Sequence, residues 1–259
     1  MTQHSAPAHD FPESVLTMQP SPSFVLPSFT GAITLTPASG VAATFGAIIL
    51  DAPTVAALSG ALDGASVHLV HESECVTLHV THPALASSAE VTLQLTRLRG
   101  KPVLHLSMDQ LVLRQHDSGL DCAMLARIVS AAQRHGIGRL TLQVVSGELA
   151  IGQAPLRDGA AAWIALGFDA PLALSDVDWV TATPELAAQL PAQWMTSLAD
   201  LLAHPDGPAL WGACARDVTL IFDLRPGWAA CTKLAQRLRE SGRTAEALRI
   251  AERAMGSVQ

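Results

Sequence analysis

Apolar and polar residues alternate along the first half of the chain, in short runs separated by glycine, proline and charged residues. A period of two is typical of strands that bury only one face. We therefore expect strands at residues 32–36, 45–50, 67–70, 76–80, 91–98 and 103–113. Between the second and third of these, the pattern predicts a short helix at residues 55–62 with Thr54 as its N-cap.

The clearest hairpin is predicted from residues 91–98 and 103–113. Both arms alternate, and the glycine and proline of residues 99–102 mark the turn between them. The alternation changes register between Ser107 and Asp109, which indicates a β-bulge at that point.

A helical period follows this hairpin. The apolar residues Met124, Leu125, Ile128, Val129 and Ala132 recur at intervals of three and four, which predicts a helix over residues 120–135. This helix should pack through Leu125, Ile128 and Val129 on one sheet formed by residues 91–98, 103–113 and 140–145.

Further along, the patterns predict helices at 158–166 and 186–202, the latter interrupted at Pro191. They also predict strands at 177–181 and 218–224, and a helical hairpin of residues 228–240 and 244–254.

This order of elements predicts an α+β protein with a mixed, mostly antiparallel sheet and packed helices. Residues 1–28 combine Ser, Pro, His and Gln with few periodic apolar residues, so we expect a disordered arm. Residues 29–183 should form the α+β domain. Residues 184–259 should form a C-terminal extension of one strand and a helical hairpin.

Composition excludes several classes of protein. Of the 259 residues, 49% are hydrophobic and 15% charged, as in a globular chain. The net charge of -7 and the absence of a basic tract argue against binding to nucleic acid or an anionic membrane. No apolar run reaches the roughly 20 residues of a bilayer span, and the N-terminus lacks the pattern of a signal peptide. We expect a cytoplasmic protein, with export without a cleaved signal peptide as the alternative.

The spacing of the cysteines and histidines does not indicate a metal site. The four cysteines contain no C-x-x-C pair, which argues against a disulfide framework and a zinc cluster, and we expect them to be reduced. Four histidines, His68, His71, His79 and His82, lie on or near two predicted strands. Because no carboxylate or thiol accompanies them at fixed spacing, we expect solvent-facing histidines and no metal.

In residues 111–169, a glycine-containing loop, residues 116–121, precedes the predicted helix, and residues 163–169 carry a tryptophan followed by Gly-Phe. These residues resemble the GNAT superfamily of acyltransferases, and the second segment is similar to the family's Y-x-x-x-G-F element. The resemblance implies that backbone N–H groups of Gly119, Leu120, Asp121 and Cys122 hold the pyrophosphate of acetyl-CoA or another acyl-CoA at the start of the helix. It also implies a base drawn from His105, Asp109 and His116, on or just after the central strand.

Three departures from the family pattern bear on this chemistry. Asp121 stands where a second glycine is expected, and its charge would repel a pyrophosphate. Trp163 stands where the family places the tyrosine that protonates the leaving thiolate, and the chain has no tyrosine. Arg157 falls near the position of a frequent asparagine. The chain thus resembles a degenerate branch of the superfamily.

Two functions remain open from these residues. One is a non-catalytic or weakly active GNAT-like module of a bacterial secretion, toxin or phage-related system, acting on protein partners through residues 229–259 or the N-terminal arm. No cofactor is then needed. The alternative is an acyl-CoA-dependent N-acyltransferase. A serine or cysteine nucleophile is a third hypothesis, although no G-x-S-x-G motif occurs and Cys122 has only its place at a helix start.

The C-terminal residues 234–254 resemble a single tetratricopeptide repeat. One repeat cannot cover its own apolar face. We expect its apolar stripe to dock on the protein's own core, with a partner surface as the alternative.

Overall fold

A seven-stranded sheet forms the centre of the protein in the computed structural model. The model describes residues 29–37, 44–109, 119–144, 159–172, 196–214, 217–225, 228–243 and 250. The strands of the sheet lie in the order β1 (Thr34–Pro37), β4 (Ser66–Glu72), β5 (Cys75–Thr81), β6 (Ala89–Leu98), β7 (Lys101–Asp109), β8 (Arg139–Val144) and β9 (Val218–Asp223), while β2 (Thr44–Phe45) and β3 (Ile48–Ile49) form a separate small hairpin. Within the described ranges the helices are α1 (Ala52–Leu58), α2 (Leu120–Arg134), α3 (Gly159–Ala165), α4 (Leu198–Ala203), α5 (Gly207–Cys214) and α6 (Ala229–Glu240).

The sheet is mixed and mostly antiparallel. Strands β4 to β7 form a continuous antiparallel meander, and β9 is antiparallel to β8. Two pairs are parallel, β1 with β4 and β7 with β8, and a helix lies between the members of each pair in the chain. The predicted α+β class is therefore confirmed.

One face of the sheet carries the hydrophobic core. Alternate residues of the central strands are at most 2% exposed, among them Val67, Leu69, Val76, Leu78, Val80, Val91, Leu93, Leu106, Met108, Leu140, Leu142, Leu220 and Phe222. Helix α2 adds Leu125, Ile128 and Val129, which are buried in the same cluster. Strands β6, β7 and β8 are neighbours in one sheet, as predicted from residues 91–98, 103–113 and 140–145.

Helix α1 begins earlier than predicted. Its first residue is Ala52, and its N-cap is Asp51, whose Oδ1 accepts a hydrogen bond from the Thr54 N–H at 2.9 Å. Pro53 lies in the first turn of the helix, which tolerates proline because its N–H groups need no intrahelical acceptor. The predicted cap Thr54 is therefore wrong, and the predicted helix 55–62 is confirmed only over residues 55–58.

Residues 45–50 do not form one strand. The chain reverses at Gly46, where φ is 58°, and the two sides pair as β2 and β3. A left-handed residue allows a tight reversal that alternation of apolar residues does not reveal.

The β6–β7 hairpin is more regular than predicted. Pairing runs without interruption from Glu90 opposite Asp109 to Leu98 opposite Lys101, so the bulge expected between Ser107 and Asp109 is absent from the described part of β7. The turn is two residues, Arg99 and Gly100, rather than residues 99–102. Both have positive φ, 51° and 79°, which suits the twist of a two-residue hairpin.

Several predictions fall partly or wholly outside the described residues. These are residues 1–28, the strand at 177–181, residues 110–113, most of the helix at 186–202 and most of that at 244–254. Where residues of the 186–202 span are described, Ser197 is the N-cap of α4 in a capping box with Asp200, so the helix is not continuous there. Ile250 is helical and buried.

Helix α6 docks on the protein's own core, as predicted. Its apolar stripe, Cys231, Leu234 and Leu238, is fully buried, and the helix contacts α2, α3 and β9. The approach is close at Gly167, where an added Cβ would lie 2.5 Å from the carbonyl oxygen of Ala230. The described parts of residues 184–259 thus share the sheet and core of residues 29–183.

Candidate functional site

The start of α2 is where the acyltransferase resemblance expects a cofactor. Gly119 is the N-cap, with a left-handed φ of 64°, and as a glycine it has no side chain to cap the helix. Leu120 and Cys122 are buried. A left-handed N-cap favours glycine, since other residues lose energy in that conformation.

The carboxylate of Asp121 already lies at this helix end. Its Oδ1 accepts a hydrogen bond from the backbone N–H of Cys122 at 2.8 Å. That N–H is one of the donors that the resemblance assigns to the pyrophosphate. A bound carboxylate both occupies the donor and repels a second anion, so this end of α2 is poorly suited to phosphate.

The end of α6 lies directly against the start of α2. A Cβ added to Gly119 would be 3.1 Å from the Cβ of Ser241, the residue that follows α6. Arg237, on the last turn of α6, is close enough to lower the pKa of the Cys122 thiol electrostatically. The protein's own chain therefore occupies part of the space where the resemblance expects a cofactor.

The Cys122 thiol is unsuited to nucleophilic catalysis. Burial, and then the charge of Asp121, raise its pKa to about 11 in spite of Arg237. Burial likewise raises the pKa of Cys231 to about 11. Both thiols are protonated near neutral pH, where a nucleophilic cysteine needs a lowered pKa.

The proposed bases are not brought together. His105 and Asp109 lie half-buried on the same face of β7, but four residues of strand separate their Cα atoms by about 13 Å. His105 is paired with Gln94 and Asp109 with Glu90. His116 lies outside the described residues.

A row of titratable side chains crosses four strands on the polar face of the sheet. His68, His79, Glu90 and Asp109 stand directly opposite one another on β4, β5, β6 and β7. The rings of His68 and His79 are stacked at 6.3 Å, and Nδ1 of His79 is 3.2 Å from Oε2 of Glu90. Sequence reasoning missed Glu90. Counting the strand register outward from a two-residue turn at Arg99–Gly100 would have placed Glu90 opposite Asp109.

The other two predicted histidines lie apart from this row. His71 packs edge-on against Phe45, with ring centroids 5.9 Å apart, and Nδ1 of His82 accepts a hydrogen bond from the Ala84 N–H at 3.0 Å. Within the described ranges, no group of three or more His, Cys, Asp or Glu side chains is arranged to hold a metal ion.

Trp163 and Phe168 form an aromatic stack in the core. Trp163 packs edge-to-face on Phe168, with ring centroids 5.4 Å apart, and Phe168 packs in the same way on Phe222. Gly167, with φ of 111°, allows the close approach of α6. The segment that resembles the Y-x-x-x-G-F element thus has a packing role in this structure.

A cavity of about 360 Å³ lies beside the edge strand β9. Its lining includes Leu172, Leu198, Trp211 and Ile221, with Asp217 and Thr219 as polar residues. None of the predicted site residues lines it. Among the described helices, none is both long enough and apolar enough to cross a bilayer.

In comparison with known proteins, no protein-family model matches the chain, and no curated protein matches it. The acyltransferase resemblance therefore depends on residues 111–169 of this sequence. The geometry adds a helix start at which the Asp121 carboxylate accepts the Cys122 N–H and Ser241 lies against Gly119.

Proposed function

We propose that this protein is a non-catalytic or weakly active module on a GNAT-like scaffold, acting through protein partners. The observation that carries this proposal is the occupied start of α2. The Asp121 carboxylate takes the Cys122 N–H, and Ser241 lies against Gly119. An acyl-CoA held by this helix end would have to displace both.

The order of elements supports the scaffold in this proposal. Strand β7, helix α2 and strand β8 follow one another, then come α3 and the pair Gly167–Phe168, in the order that the resemblance expects. Strands β7 and β8 are parallel, and their described pairing runs from Leu106 to Met108 on β7. A cytoplasmic location and a role in a bacterial secretion, toxin or phage-related system belong to the same proposal.

The candidate bases and the missing tyrosine bear on the non-catalytic part. A general base acts within hydrogen-bond reach of the proton it removes, and its pKa must suit the working pH. His105 and Asp109 lie on β7, and neither lines the described cavity. The half-buried Trp163 supplies only an indole N–H, which does not protonate a leaving thiolate.

The partner surface has to differ from the apolar stripe of α6, because the core buries that stripe. The outer side of α6 remains exposed and polar, with Lys233, Gln236, Arg237, Arg239 and Glu240. Arg237 and Glu240 pair there at 3.0 Å. Contacts through residues 229–243 would therefore be polar.

Titration with acetyl-CoA tests the proposal. We expect about 1 mM acetyl-CoA to leave the melting temperature of the wild type almost unchanged, and Asp121→Gly to increase any shift, because the variant removes the competing carboxylate. Asp121→Asn is the matched control, since it removes the charge and keeps an oxygen that can accept the Cys122 N–H. A wild-type stabilisation above about 2 kcal/mol would overturn the proposal and favour the N-acyltransferase.

A further inference from the structure

The β6–β7 hairpin extends beyond the strands on either side of it. On the β5 side, pairing ends where Cys75 faces Gln94, with one further hydrogen bond from Leu95 N–H to the Glu74 carbonyl. On the other side, the described pairing of β8 with β7 begins at Leu106 and continues to Met108, so it does not reach residues 101–105. Within the described residues, positions 96–103 are therefore paired only with one another. We call this segment the arm.

The backbone of the arm has a fixed shape. Leu98 and Lys101 form the last pair, and the left-handed Arg99 and Gly100 close a two-residue turn. Pro102, opposite Arg97, lies in the next pair, where the backbone nitrogen faces away from β6. Because proline has no N–H, this edge of the arm is a poor template for an added strand. Contacts would be made by the side chains at the tip.

The tip of the arm carries both positive charges and an exposed apolar side chain. Arg97, Arg99 and Lys101 are exposed, and Leu98 between them is 65% exposed. None of the three cations forms an ion pair in the described part of the chain, although the exposed Glu72 and Glu74 lie at the neighbouring turn. Five consecutive residues thus carry three positive charges in a chain whose net charge is -7.

We infer that the arm is the element through which this protein docks on an acidic protein surface, with Leu98 filling an apolar depression ringed by carboxylates. The inference rests on the proposed function, in that it names the surface which would hold the protein partner. An exposed apolar side chain surrounded by unpaired cations matches a partner of this chemistry, because charge complementarity steers and orients an apolar contact.

Nucleic acids and membranes fit the arm less well. Three cations neutralise at most three phosphates, which leaves little affinity at physiological salt. At an anionic lipid surface they would contribute only about 3 kcal/mol. Both a duplex and a membrane are extended anionic surfaces, which would also face the rest of this acidic chain, whereas a protein can present a local acidic patch to the arm.

Selection from a displayed random-peptide library, with the full-length protein as bait, tests the inference. We expect the enriched peptides to carry Asp or Glu on both sides of an apolar residue. The Kd of the best peptide, measured by fluorescence anisotropy, should rise at least tenfold in the variant Arg97→Glu/Arg99→Glu/Lys101→Glu. It should also rise in Leu98→Ser and when NaCl is raised from about 50 to 300 mM.

The double variant Arg134→Glu/Arg139→Glu is the matched control, because it reverses two exposed charges, at the end of α2 and the start of β8, that lie outside the proposed contact surfaces. It should leave the Kd within about twofold, and all variants should keep the wild-type circular dichroism spectrum. Peptides that bind equally well to the triple variant, or a selection without enrichment, would overturn the inference.

Three further results would also overturn it. They are arm-dependent binding to vesicles containing 30% phosphatidylserine, arm-dependent binding to a 20-base-pair DNA duplex, and arm-dependent self-association in light scattering.

The acetyl-CoA titration is independent of the arm. Strong acetyl-CoA binding together with arm-dependent peptide binding would remove the non-catalytic proposal and leave the docking surface in place.

Discussion

The two halves of the β6–β7 hairpin share one uninterrupted pairing and lie in opposite environments. In the inner half, Val91, Leu93, Leu106 and Met108 are at most 2% exposed, while Leu98 in the outer half is 65% exposed. The backbone pairing is the same in both halves. The difference lies in what surrounds them, since the inner half has strands on both sides and belongs to the buried core cluster.

This comparison separates hydrogen bonding from burial. Backbone pairing holds both halves in register, but only the inner half removes apolar surface from water, which is the larger source of stability. The side chains at the tip of the outer half are exposed, so this half can carry cations and a leucine without disturbing the core. We expect substitutions to affect stability in the inner half and recognition in the outer half.

The largest effect should come from a core leucine. Leu106→Ala leaves a cavity at a fully buried position and should lower the free energy of unfolding by about 2–5 kcal/mol. The matched change Leu98→Ala, in the same hairpin, should cost less than about 0.5 kcal/mol. Urea denaturation of both variants measures the difference. Equal losses would show that the arm is packed in solution.

A smaller effect is expected at the turn. Gly100→Ala places a side chain at φ of 79°, where nothing lies within 4 Å of the added Cβ, so the cost is backbone strain alone. We expect a loss of about 1 kcal/mol in the free energy of unfolding. Gly138→Ala is the control, because its surroundings are equally open and its φ is not in the left-handed region. If thermal unfolding shows no difference between them, the turn is not rigid.

The smallest effect concerns Arg99, which has φ of 51°. Asparagine adopts the left-handed region more readily than arginine, so Arg99→Asn should raise the free energy of unfolding by about 0.5 kcal/mol. Arg97→Asn removes the same charge from an extended position and should give no such gain. A gain of equal size in both variants would mean that charge repulsion, and not backbone strain, limits the stability of the arm.

Much of the fold could be predicted from local pattern. Strands β4 to β7, α2, β8, α3, β9 and α6 follow from alternation, helical spacing and turn residues, because each signal lies within a few residues of the element it specifies. The errors also have local causes. The helix predicted from residue 55 begins at Ala52, because a first helical turn tolerates Pro53, and Gly46 reverses a run that looked like one strand.

The candidate site could be predicted less well. The residues Gly119 to Cys122 are consecutive, so any folded form keeps them together, and the left-handed start of α2 agrees with the glycine. The contact of Ser241 with Gly119 joins residues more than 120 positions apart. No local pattern indicates it, since it depends on how α6 packs against α2.

The sequence by itself determined most of the elements and the polar and apolar faces of their strands, because these depend on short-range sterics and on the period of burial. Only the tertiary structure decided which strands became neighbours. That order brought His68, His79, Glu90 and Asp109 into one row and left residues 96–103 without a neighbouring strand among the described residues, while the packing of α6 against α2 closed the start of α2. The physical reason is that strand order and helix docking are selected by burial of the whole apolar surface, to which residues distant in the chain contribute together.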